Sequence, residues 1–197
     1  MMPLHTPKLP RPDRAGVTLI EMMIAVTTFA VVLAAVMGFM IEQRNSYDQT
    51  RARAQYQQGM RAVISMVSRE IRSTGADPTD AGVVALGVAD TWSFQCGMDL
   101  NGDGDSSDHD PDESILYTFD NVNGELQRND GMFAMVILRD LTNLQFRYYD
   151  DAGNELTSLP LNAEDRDLVR FIEIDMTGDA GHHEEVDYTS RIALRNI

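Results

Sequence analysis

Asp99, Asn101, Asp103 and Asp105 stand at alternate positions of the run DLNGDGDSSDHD, residues 99–110. Oxygen ligands at alternate positions can wrap one hard cation, and positions 1, 3, 5, 7 and 12 of such a loop are those that hold calcium. Asp105 then contributes its backbone carbonyl, Gly104 at position 6 allows the sharp turn, and Asp110 at position 12 closes the sphere from the far side. Seven carboxylates crowd residues 99–113, and without a cation they repel and loosen the loop. The competing reading is a solvated acidic loop with no ion. The cluster Gly181-His182-His183-Glu184-Glu185 is a poorer metal candidate. Adjacent histidines point apart in a strand, and with no cysteine or third histidine beside them the cluster reads as a solvated hairpin loop.

A second chemical oddity is Glu21. It is the only charge in the run VTLIEMMIAVTTFAVVLAAVMGFMI, residues 17–41. A carboxylate within hydrocarbon costs about 2–3 kcal/mol, so its partner has to be found. Cleavage between Gly16 and Val17 would make Glu21 the fifth residue of the product and create a cationic α-amine on Val17. The carboxylate of one copy could then pair with the amine of a neighbour inside the membrane. The alternative is a glutamate that snorkels to the interface.

These residues need particular elements. As a helix, residues 17–41 would span roughly 37 Å, enough for a bilayer core. The segment before them, residues 1–16, holds four of the seven prolines and Lys8, Arg11 and Arg14 against Asp13. A basic leader stays cytoplasmic and places the C-terminal domain on the outer side of the inner membrane. After Ile41, Tyr56, Met60, Val63, Val67 and Ile71 recur on one helical face until Gly75 and Pro78 stop it. Arg51, Arg53, Arg61, Arg69, Glu70 and Arg72 take the other faces. One helix over 17–73 follows, transmembrane to 41 and amphipathic from 42 to 75. Residues 76–197 read as a β-rich domain. Strands are expected at 83–86, 91–95, 114–119, 125–128, 132–138, 144–149, 168–177 and 188–194, with a hairpin at Asn123-Gly124 and a loop over 178–187. The fold class is α+β, a long N-terminal helix on an antiparallel sheet, with no internal repeat.

The basic leader, Gly16, Val-Thr-Leu-Ile-Glu and the apolar run resemble the prepilin cleavage and methylation motif of type IV pilins and type II secretion pseudopilins. The resemblance implies removal of residues 1–16 by the prepilin peptidase, N-methylation of Val17, and use of Glu21 for recruitment into a filament. The family's usual first mature residue is Phe where this chain has Val17. Losing three cations and one anion would take the formal charge from −15 to −17. LTNLQFRYYDDAGNEL, RFIEIDMTG and SRIALRNI, within residues 138–197, resemble minor pilins of the PilW class and J-type minor pseudopilins. They imply a subunit that helps initiate or cap a pilus or pseudopilus. Its partners would be other minor pilins, the major pilin, the inner-membrane assembly platform and, before assembly, membrane lipid. The acidic loop resembles the dockerin type, which accepts Asp at position 12; it departs from it in Ser106 and in flanks that read as strands.

The charge of −15 excludes a nucleic-acid surface, since no basic stripe follows residue 14. Neither G-x-S-x-G, H-E-x-x-H nor a phosphate loop occurs, so an enzyme is not expected; a filament-tip adhesin is the alternative to a purely architectural subunit. Cys96 is unique in the chain and reads as a small buried apolar residue beside Trp92 and Phe94.

Overall fold

The structure, a computed structural model, describes residues 16–181 and 185–196. The leader to residue 15 and the His182-His183-Glu184 cluster lie outside the described residues. The chain divides into two units, residues 1–47 and 48–197. A single helix, α1 (Leu19–Ser73, 55 residues), begins in the first and ends in the second.

In the first unit, residues 17–41 are exposed on every side. None of this apolar stretch is buried, and the helix has the length and composition to cross a membrane. The three threonines within the run do not present free hydroxyls: Thr18 donates to the Glu21 carboxylate, Thr27 to the Met23 and Ile24 carbonyls and Thr28 to that of Ile24.

In the second unit the expected stripe is the buried one. Met60, Val63, Val67 and Ile71, joined by Ile64, pack into the core, and Tyr56 lies against its margin. The helix stops where Gly75 takes φ +77° and donates its N–H to the Gly97 carbonyl. Two antiparallel meanders complete the core. β1 (Leu86–Ala89), β2 (Ser93–Gly97), β3 (Ser114–Asp120), β4 (Glu125–Asn129) and β5 (Ala134–Leu138) form one sheet in that order. β6 (Leu141–Tyr149), β7 (Phe171–Asp179) and β8 (Glu185–Ala193) form the other. Phe94 of β2 stacks on Tyr117 of β3 and meets Phe146 of β6 edge-on, so aromatic rings join the two sheets. The fold is α+β, as the order of elements implied.

Several strand boundaries differ from the sequence expectation. The strand expected at 83–86 starts only at Leu86. The Asp77 carboxylate accepts the N–H groups of Ala81, Gly82 and Val83, which bends this segment around a side chain instead of into a ladder. The strands expected at 91–95 and 132–138 begin at Ser93 and Ala134. The strand expected from Leu168 begins at Phe171, after a short helix α2 (Ala163–Asp167) that sequence reasoning missed; Asn162 caps it by accepting the Asp165 N–H. The loop expected over 178–187 is much shorter, because Asp179 still pairs with Glu185. The Asn123-Gly124 turn is found between β3 and β4, with Gly124 at φ +64°.

Candidate functional site

At the start of α1, Thr18 and Glu21 bond reciprocally. The Thr18 N–H and hydroxyl donate to Glu21 Oε2 at 2.9 and 2.8 Å, and the Glu21 N–H donates to Thr18 Oγ1 at 3.3 Å. This capping box satisfies two backbone donors of the helix end, the Thr18 and Glu21 N–H groups, and holds the carboxylate one turn from Val17. The Thr-x-x-Glu spacing was present in the sequence and would have revealed it. Gly16 and Val17 precede the helix and are exposed, with open space around the Gly16 Cα.

The acidic loop joins β2 to β3, adjacent strands in which Gly97 pairs with Ser114. Asp99 is buried, and its carboxylate accepts the N–H groups of Gly102 at 2.5 Å and Gly104 at 3.0 Å and the Thr79 hydroxyl. Gly102 and Gly104 have φ of +83° and +93°, conformations glycine adopts without strain. Asn101, Asp103 and Asp105 then repeat one motif, each side chain accepting the N–H two residues on. Asn101 Nδ2 also donates to Asp103 and, at 2.5 Å, to Asp108.

Of the five expected ligands, Asp103 and Asp105 are brought together, and the third carboxylate in their group is Glu113: one oxygen from each lies within 4.8 Å of the others. Asp99 and Asn101 brace the loop beside them, whereas Asp110 is exposed and outside that group. Glu113 is fully buried. Its Oε1 accepts the N–H groups of Leu100 and Asn101, while Oε2 is buried without a hydrogen-bond partner. Leaving a buried acceptor unsatisfied costs about 1–3 kcal/mol. Burial, with the charges of Asp103, Glu113 and Asp105, raises the Asp108 carboxyl above its usual range.

Residues 11–37 match the family model described as the prokaryotic N-terminal methylation motif. This match supports a subunit of the type IV pilin and pseudopilin superfamily. The motif implies processing by the prepilin peptidase and assembly with other pilins, and the apolar helix has the length and composition of the inner-membrane anchor typical of such subunits. None of the curated proteins compared with the chain matches it.

Two features of this pilin-like subunit escaped sequence reasoning. Glu113 lies three residues past the expected end of the loop, and only the β2–β3 pairing returns it. Glu70, expected on a polar face of the helix, accepts from the Tyr117 hydroxyl and from Arg128 Nε at 3.2 Å; Arg128 also bonds Asp112 at 2.8 Å. This half-buried network ties α1 to β3, β4 and the end of the acidic loop.

Proposed function

We propose that the chain is a minor pilin or pseudopilin, cut after Gly16, methylated on Val17, and built into an inner-membrane-anchored filament that it helps to initiate or cap. The observation that carries this reading is a lone carboxylate, Glu21, on a helix whose residues 17–41 are exposed all around. That surface needs lipid or like helices to cover it. Before assembly the capping box keeps Glu21 hydrogen-bonded within its own chain. On entry into the filament, Glu21 pairs with the Val17 α-amine of a neighbouring subunit, an attraction strengthened by the apolar surroundings. The leader stays cytoplasmic until cleavage, and residues 76–197 lie in the periplasm and then on the filament. The likeness of residues 138–197 to PilW-class and J-type minor subunits supports a low-abundance role at the tip.

A second reading, a tip subunit that binds a surface ligand, is favoured by Met132, Phe133 and Met135. These side chains are exposed at or beside β5, an edge strand of its sheet. Both readings are structural and not catalytic.

The test is incorporation. With Glu21→Ala, the cleaved subunit should remain in the membrane fraction and fall ~10-fold or more in sheared filaments, the ratio that about 1.4 kcal/mol per contact gives. Thr18→Ala, which removes only the cap, should have a smaller effect. Wild-type levels of Glu21→Ala in filaments would refute the pairing.

A further inference from the structure

We propose that residues 99–113 bind a single calcium ion, with Glu113 and not Asp110 as the carboxylate that closes the site. The inference stands on the loop alone and does not depend on how the N-terminal helix is processed.

Two independent observations carry it. The first is the convergence of Asp103, Asp105 and Glu113, whose oxygens lie within 4.8 Å of one another. Carboxylates held this close repel unless a cation lies between them. The second is Glu113 Oε2, buried and without a hydrogen-bond partner. The two N–H groups on Oε1 fix the carboxylate in place, and the residue leads directly into β3. A buried oxygen so fixed and so left open is what a metal ligand requires and what a solvated acidic loop does not explain.

The donor set selects the ion. All three ligands are carboxylate oxygens, with the Asp108 carboxylate beside them, and a hard divalent cation is the match. The nearest histidine, His109, is engaged elsewhere, its Nδ1 hydrogen-bonded with the Asp130 carbonyl at 2.9 Å. Calcium tolerates an irregular shell of six to eight oxygens, whereas magnesium demands a near-ideal octahedron. The loop supplies an irregular shell that water completes.

Topology explains why Glu113 takes the place expected of Asp110. His109 and Asp112 form an isolated antiparallel bridge, so Asp110-Pro111 is the tip of a tight turn. The chain returns to the loop only after that turn, at Glu113, whose carbonyl also accepts the Met98 N–H. The ion would therefore clasp the two ends of the β2–β3 connection. Through Asp99, which bonds both Thr79 and the Ala76 carbonyl, it would also steady the segment that follows α1.

The test uses the full chain in detergent, freed of metal by chelation and titrated with calcium chloride or magnesium chloride. Expected are one saturable calcium event with Kd about 10⁻⁴–10⁻³ M, as in extracellular modules, and a higher melting temperature in calcium than in magnesium. Glu113→Gln and Asp103→Asn should each weaken calcium binding by ~10-fold or more, while Asp110→Asn leaves it within about twofold. Metal-free Glu113→Gln should melt at or above the wild-type temperature, because it removes a buried unpartnered carboxylate. Should that variant misfold, exposed Asp103 carries the same test. No calcium response in the wild type, or loss of response in Asp110→Asn with retention in Glu113→Gln, would overturn the proposal.

Discussion

Among single side chains, Glu70 couples more of the domain than its sequence position suggests. It serves Tyr117 and Arg128 at once, and Arg128 is largely buried. Removing it leaves a guanidinium short of a counter-ion and a tyrosine hydroxyl without an acceptor. Glu70→Ala should therefore cost roughly 3 kcal/mol in denaturant unfolding. Glu125→Ala, which breaks an ion pair to the exposed Arg139, should cost no more than about 1 kcal/mol. Glu70 also bears on Cys96: burial, opposed by a hydrogen bond from Thr74 and aided by the Glu70 charge, pushes that thiol up to about 12. Cys96 is thus a protonated core residue, as its apolar neighbours implied. Glu21 and the alternating aspartates were visible in the sequence as candidates because the hydrogen bonds they make depend on local spacing. Glu113 and Glu70 were not, because their partners arrive through strand pairing and helix docking.

For the elements, periodicity located α1 and its stop at Gly75 well, since one face and one cap residue decide both. Strand edges were less legible where side chains compete for the backbone, as the Asp77 carboxylate does at Ala81–Val83 and Asn162 does before α2. Gly178 shows a different failure. A glycine read as the start of a loop sits within β7 because the Tyr56 ring needs its space. A Cβ there would meet Tyr56 Oη at 2.0 Å, while that hydroxyl donates to the Arg139 and Asp140 carbonyls at 2.9 and 3.0 Å. Gly178→Ala should cost about 1–3 kcal/mol in thermal unfolding. The same change in a Tyr56→Ala background should cost far less, and equal costs in both backgrounds would show that the contact is not the cause.

For the whole molecule, the two units obey different solvents. Residues 48–197 bury their own apolar core beneath a charged surface, and residues 17–41 present mostly apolar side chains in every direction with Glu21 as the lone charge. That contrast was visible in composition alone, and the prepilin-type motif at residues 11–37 gives it meaning. The account predicts a subunit made in one membrane and moved into a filament, with a new amine created four residues before Glu21. The intact mass of the chain purified from membranes tests this most directly. The account predicts a protein that begins at an N-methylated Val17. A chain that still carries residues 1–16, or one cut near residue 40 like an ordinary secreted protein, would contradict it.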